Sequence, residues 1–584
     1  MMTTPQSAGN RRIATISATV AQAWPNRYDV VVFLAVGAVL VAIAHGAKTM
    51  QQPLTGLEAH PVSLDPANLP QYALLTTLRM FAALGFSLLF TFIVAPLAAK
   101  SRKAERVIIP ALDILQSVPV LGFLTFTVIF FLNLFPGSQL GAELAAIFAI
   151  FTSQAWNMTF SFYQSLKTVP RDLEEVTAQF RLTPWQRFWK LEVPFATPGL
   201  VWNMMMSMSG GWFFVVASEA ISVGDTTVTL PGIGSYIALA IEQKNIGAVG
   251  WAVGAMAVVI LLYDQLLFRP VVAWSDKFRV ELVASQDQPR SWVLDLVRRT
   301  RLIQVINGLL SKVAGLFGGG VSTLSRQIPE PKVGGVARKA LDIAFNIALA
   351  GVVVWALWSI VEYIRATLGF SDLVQAVTDG CITFVRVMIL IAIASLIWVP
   401  VGVYIGLRPK LAERIQPLAQ FLAAFPANVL FPFVVMGIVA WKLDPNIWLS
   451  PLIILGTQWY ILFNVIAGAS VFPRDLGEAS ELYRVRGWLW WRKVMLPGIL
   501  PYYVTGALTA SGGSWNASII AEAVSWGDTK VEAQGLGAYI ANATAAGDFH
   551  RVVLGVGVMS VFVVVLNRVL WRRLYGFADR RLRI

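Results

Sequence analysis

The residues able to do chemistry in this chain are few, and they come in matched pairs. Arg79 and Arg386 lie inside long apolar stretches, and Glu219 and Glu522 sit at the ends of two more. Arg79 is about 10 Å into its stretch at ~1.5 Å per residue, and an unpaired charge at the centre of a bilayer costs roughly 2.5–3.5 kcal/mol. The chemistry predicted is therefore ion pairing, Arg79 with Glu219 and Arg386 with Glu522. The competing arrangement has each arginine reaching lipid headgroups and each glutamate meeting water. Catalysis on a substrate is not indicated. There is no Ser-His-Asp set and no paired catalytic carboxylates, and the other ionisable span residues include Glu143 and Asp264, mostly near span ends. Cys381 is the sole cysteine and His45, His60 and His550 are far apart, so neither a disulfide framework nor a metal site is expected.

The elements that must hold these charges are membrane spans. Hydrophobic residues make up 56% of the chain and charged ones 14%, against about 25% charged in soluble domains. An all-α polytopic membrane protein with about 12 transmembrane helices is predicted. The net charge of +13 lies mostly in loops on one side of the spans, so it reports topology, and no pattern for nucleic acid accompanies it. Residues 1–27 form a polar tail carrying Arg11, Arg12 and Arg27, 28–268 a first six-span repeat, 269–340 a linker with 12 Lys or Arg, and 341–584 a second repeat. An even number of spans per repeat gives both the same orientation: two parallel six-span repeats, a path between them, and cytoplasmic N- and C-termini. Within the linker, Trp292, Leu296, Ile303, Ile306, Leu310, Val313 and Phe317 follow helical spacing, a basic amphipathic helix suited to membrane lipids. GLFGGGVS at 315–322 has valine where a phosphate loop needs lysine, so no nucleotide site is expected in this chain.

One polar stretch interrupts the spans twice. PRDLEEVTAQFRLTPWQRFWKLEVP at 170–194 returns as PRDLGEASELYRVRGWLWWRKVMLP at 473–497, with nine identities at a spacing of 303 and no gap. Each copy predicts a helix, a tight turn and a second helix, with Thr183 as cap and Pro184 at the first position in copy one, and Gly487 supplying the turn in copy two. Further matches follow: TTLRMFA at 76–82 with TFVRVMI at 383–389, and IGSYI at 233–237 with LGAYI at 536–540.

The repeated stretch resembles the coupling loop of ABC-importer permeases, E-A-A-x-x-x-G followed by a hydrophobic-x-L-P ending. Glu175 and Glu478 match its glutamate, and Pro194 and Pro497 its proline, while Arg181 and Arg484 stand where the pattern has glycine. The A/S-E and G-I/L-G-x-Y-I endings are similar to the nitrate/sulfonate/bicarbonate group of these permeases, here in a fused two-copy form. The resemblance implies a type I importer permease fold in a bacterial inner membrane. It also implies two cytoplasmic ABC ATPase subunits holding ATP and magnesium, an extracytoplasmic solute-binding protein, and a small solute, an anion such as nitrate, a sulfonate or bicarbonate. Coupling would fall to Glu175, Arg181, Pro184, Trp185, Pro194, Glu478, Arg484, Gly487, Trp488 and Pro497. Asn203, Met205, Gly210, Trp212, Gly513, Trp515 and Asn516 would line the translocation path, where glycines let backbones approach. Arg79, Glu219, Arg386 and Glu522 would close an outer gate. The alternative is an ion-coupled secondary transporter built from parallel six-span repeats, which gives no reason for the coupling stretch.

Overall fold

Long apolar runs separated by short polar breaks fold as helices through most of the computed structural model, which describes residues 27–278, 291–300 and 335–581 apart from 52, 54–61, 224–225, 471 and 473. The first repeat contributes α1 (Arg27–Thr49), α2 (Leu69–Lys100), α3 (Arg102–Ser117), α4 (Val120–Leu134) and α5 (Gln139–Lys167). Two short helices, α6 (Arg171–Gln179) and α7 (Pro184–Arg187), precede α8 (Val193–Glu219). After strands β1 (Ala220–Val223) and β2 (Thr226–Thr229) come α9 (Ile233–Glu242) and α10 (Ile246–Tyr263). The linker contributes α11 (Trp292–Arg299).

The second repeat follows the same order: α12 (Gly335–Arg365), α13 (Phe370–Gly406), α14 (Pro409–Ala424), α15 (Phe431–Trp441) and α16 (Gln458–Ser470). Then come α17 (Arg474–Leu482), α18 (Gly487–Trp490), α19 (Leu496–Ala521), β3 (Ala523–Trp526), β4 (Thr529–Glu532), α20 (Leu536–Ala545) and α21 (Phe549–Leu566).

Seven described helices are long and apolar enough to cross a membrane, or nine if each of two bent pairs counts as one span. The expected total of about 12 differs for a physical reason. α4 has only 15 residues, and α5 carries Gln139, Glu143 and Gln154, all at most 1% exposed. A helix that turns such groups inward is held among other helices, where hydrogen bonds replace hydration, so its hydropathy understates its burial.

The chain divides into two compact units. In the larger, Lys48–Thr168, Trp202–Leu262 and Pro331–Ile584, α2 packs on α5, as α13 packs on α16. Its apolar core is continuous across the repeats, from Val120, Leu124 and Val128 on α4 to Trp515 on α19 and Val558 on α21. Polar ties cross as well: Val120 N donates to Asn516 Oδ1 at 2.7 Å, and Arg572 pairs with Asp113 at 2.5 Å. The apolar window of α12 is wholly unburied, a surface suited to lipid.

The smaller unit takes in Met1–Ala47, Val169–Val201 and Tyr263–Glu330. Here Ser291 caps α11 through Leu294 N at 3.3 Å, and the Arg299 guanidinium lies 5.9 Å from the Tyr28 ring centre. The predicted amphipathic helix is described only to Arg299. Its continuation to Phe317, the GLFGGGVS stretch and the tail before Arg27 lie outside the described residues.

The segment between the last two long helices of each repeat folds as an antiparallel hairpin, Ala220 opposite Thr229 and Ala523 opposite Glu532. The signal was present in the sequence: strand-favouring residues flank Gly-Asp in both copies, Val223 and Thr226 in the first and Trp526 and Thr529 in the second. Gly527 takes φ +56°, the left-handed conformation such a turn needs.

Candidate functional site

The repeated polar stretch makes the same turn twice. At the end of α6, Arg181 N donates to Ala178 O and Leu182 N to Thr177 O; at the end of α17, Arg484 N donates to Glu481 O and Val485 N to Ser480 O. This pair of bonds closes a helix through a left-handed residue, and Arg181 and Arg484 take φ +48° and +53°. The pattern's glycine position is thus the left-handed one, and arginine holds it here against a steric cost. Thr183 and Gln186 cap α7 reciprocally at 3.3 and 3.2 Å, with Pro184 following the cap. Gly487 opens α18 at φ +60°. Glu175, Glu478, Trp185 and Trp488 are all exposed, with Phe180, Leu482 and Tyr483 beside the turns.

Each second helix enters the next long helix through a π turn, Phe188–Glu192 before α8 and Trp491–Met495 before α19. Pro194 and Pro497 follow at once. A proline has no N–H for the helical ladder, and a change of register just ahead of it absorbs the missing bond.

At the other end of α8 and α19 lie the charged groups. Arg79 is fully buried and donates to two carboxylates: Nε to Glu143 Oε2 at 2.6 Å, Nη2 to Glu143 Oε1 at 2.7 Å, and Nη1 to Glu219 Oε1 at 2.7 Å. Nη1 also reaches Pro231 O at 3.0 Å, and Gln139 donates to Glu143 at 3.1 Å. Glu219 Oε2 accepts Gly234 N at 2.6 Å, at the positive end of α9, which offsets part of the cluster's excess negative charge. This approach requires glycine, since a Cβ at Gly234 would stand 2.8 Å from Val216 Cα. The recurring G-x-G is therefore a packing requirement around a carboxylate.

In the second repeat Arg386 pairs with Glu522 and donates to Gln534 O at 3.0 Å. Glu522 accepts Thr383 Oγ1 at 2.9 Å and Gly537 N at 2.8 Å. Gln534 bridges to Asp379 at 3.3 Å, and a cleft of about 690 Å³ opens beside Asp379, Asn446 and Gln534. Glu143, which the sequence offers only as one of the few ionisable residues in the spans, is the second partner of Arg79.

The residues predicted to line a path divide. Gly210 and Gly513 meet at a cavity between the repeats. Met205 accepts Gln420 Nε2 through sulfur at 3.3 Å, and Asn203 donates to Ser161 at 2.9 Å. Trp212 and Trp515 are buried in packing, Trp515 stacked 5.9 Å from Phe562, and Asn516 holds the start of α4.

The sequence matches the family described as binding-protein-dependent transport system inner membrane component twice, over residues 87–269 and 398–584. It is 30% identical over 177 residues to the bicarbonate transport system permease protein CmpB of Synechococcus elongatus, covering 30% of this chain and 60% of that protein. Over 182 residues it is 25% identical to the nitrate import permease protein NrtB of Leptolyngbya laminosa, covering 31% and 62%. Over 170 residues it is 29% identical to the glycine betaine transport system permease protein OpuAB of Bacillus subtilis, covering 29% and 55%. The chain thus spans less than two thirds of the length of these relatives. With both matches each containing one turn, one hairpin and one long helix between them, the chain belongs to the family of binding-protein-dependent transport system inner membrane components, in a fused two-copy form.

Proposed function

We propose that this chain is the membrane-spanning subunit of an ATP-driven importer of a small solute, with one ATPase subunit seated on each turn. The observation that carries the reading is the pair of exposed turns, 303 residues apart in sequence, with tryptophan and other aromatic side chains available to a partner. α19 begins at the π turn beside its protrusion and ends at Glu522, so one helix of 26 residues joins the partner's contact to the charge cluster. That is a lever of about 39 Å at ~1.5 Å per residue. The turns face the cytoplasm and the hairpins the opposite side, where a solute-binding protein delivers cargo. Arg79 with Glu219, and Arg386 with Glu522, close the outer end of the path. The bicarbonate and nitrate relatives support a small anion as cargo, a sulfonate being the organic member of that class. A single chain supplies both halves of the path and works with two ATPase subunits.

Mutating Glu175→Ala and Glu478→Ala together is expected to leave insertion intact and ATP hydrolysis running while solute import falls to background. Unchanged import in the double variant would overturn the role of the turns. Native mass measurement of the solubilised complex should give one copy of this chain per two ATPases; two copies would contradict the single-chain path.

A further inference from the structure

The two turns share a backbone course at their left-handed arginines and differ in the surface they offer. In the first, polar side chains are spent on the turn itself. Thr183 and Gln186 cap α7 reciprocally, Arg187 pairs with Glu174, and Arg187 Nε lies 3.1 Å from Glu192 Oε1. The residues 303 later are Arg486 and Leu489 for the cap, and Trp490, Gly477 and Met495 for the ion pairs. Neither device recurs, and α18 begins without a side-chain cap.

The apolar groups differ as well. Trp185 leans edge-on against Trp189, ring centres 5.6 Å apart, and is 37% exposed. In the second turn Arg492 stands at the position of Trp189, and Trp488 is 74% exposed. Leu482 and Leu489 are exposed where the first turn has Gln179 and Gln186, and Tyr483 is exposed beside them. Both turns present charged residues, Glu175 and Arg181 in one and Glu478 and Arg484 in the other. Only the second adds a patch of Leu, Tyr and Trp, the residue types that form the dry centres of protein interfaces. Burying such a patch gains about 25 cal/mol per Å² whatever the salt. Contacts between exposed charges are screened instead, over about 10 Å at 0.1 M salt and about 3 Å at 1 M.

Resting on the importer reading above, we infer that the second turn is the anchor of the ATPase assembly, seating its subunit through an apolar contact, while the first turn holds its subunit through polar contacts that salt weakens. The complete chain, tagged and held in lipid nanodiscs with its ATPase subunits and no nucleotide, is washed at about 0.1 M or about 1 M sodium chloride, and the ATPase copies retained are counted by mass. Two copies are expected at low salt and one at high salt. Leu482→Gln with Trp488→Gln should remove the salt-resistant copy, leaving none at high salt. Phe180→Gln with Trp185→Gln should leave one copy in place at both. Gln179→Leu, which gives the first turn the leucine of the second, should raise retention of the salt-sensitive copy at least threefold at high salt, and decides the matter should the loss variants misfold. A second turn that lies against lipid instead would leave ATPase retention in the Leu482, Trp488 variant as in wild type, and that result overturns the inference. Wild-type protein that loses or keeps both copies together at high salt overturns it too, while the importer reading stands. No ATPase bound at either salt, with uptake indifferent to ATP, overturns the importer reading instead.

Discussion

At the hairpin end of the first repeat Arg79 is clasped by two carboxylates, whereas in the second Arg386 meets one. The scaffold is shared: each arginine reaches a backbone carbonyl of the segment leading to the next helix, and each glutamate accepts from that helix's first N–H groups. The difference comes from two positions. The residue 303 after Glu143 is Asn446, and the residue seven before each arginine is Tyr72 in one repeat and Asp379 in the other. Tyr72 packs against Tyr236 with ring centres 6.3 Å apart and seals the first cluster. Asp379 faces a cleft of about 690 Å³ and leaves the second near water. The duplicated site is thus enclosed in one repeat and set beside a cleft in the other; under the proposed gating role, opening at this end is expected to begin in the second repeat.

The largest effect expected is from Arg79→Leu. It strands two carboxylates without their cation, and breaking a buried pair costs about 3–5 kcal/mol. Arg386→Leu strands one carboxylate beside a wet cleft and should cost clearly less. Thermal unfolding in detergent compares them, and an equal or greater loss at Arg386 breaks the comparison.

Charge swaps sharpen it. Arg386→Glu with Glu522→Arg should recover what either single change loses. Arg79→Glu with Glu219→Arg should not, because the carboxylate introduced at position 79 would face Glu143; adding Glu143→Gln should then restore stability by about 1.5–3 kcal/mol, the worth of a charged hydrogen bond. Recovery by the first-repeat double swap alone would show that Glu143 does not hold Arg79.

At the left-handed arginines the two repeats agree, although Gly487 adds a second left-handed residue in copy two, so the response of the two arginines should be the same. Arg181→Gly and Arg484→Gly each relieve a left-handed residue and should stabilise the protein by about 1 kcal/mol, read as equal shifts in unfolding midpoint. Unequal shifts would mean that the turns are less alike than their dihedrals.

The smallest effect concerns a tie made in one direction only. Lys244 pairs with Asp528 at 3.1 Å, while the position 303 after Lys244 is Gly547. The hydrogen bond and charge of Lys244 hold the Asp528 carboxyl below its ordinary range. The tie is therefore complete above the usual carboxylate pKa and is lost as pH falls through the lowered value. Lys244→Ala should return Asp528 to an ordinary titration, visible by infrared spectroscopy of labelled aspartate, with little change in folding.

Much of this was legible in the residues. The gapless repeat of Pro170, Arg171 and Asp172 gave the turns, and Thr183-Pro184 gave the start of α7, because caps and left-handed turns are local chemistry. The depth of Arg79 in an apolar run demands a partner, but it cannot say that there are two. Inside a membrane the faces of a helix toward lipid and toward protein are both apolar, so periodicity does not reveal which helix lies alongside. For the same reason Trp212 and Trp515 could be placed in long apolar spans and not assigned to packing or path. The hairpins were missed for a different reason. Their strands are four residues long, too short to stand out beside helices of more than 25.

The most direct test of the account is solute uptake into proteoliposomes containing this chain, with and without its ATPase partner. Uptake should require the ATPase, ATP and the binding protein together, and should be indifferent to proton or sodium gradients. Robust uptake by the chain alone, driven by an ion gradient, would contradict it.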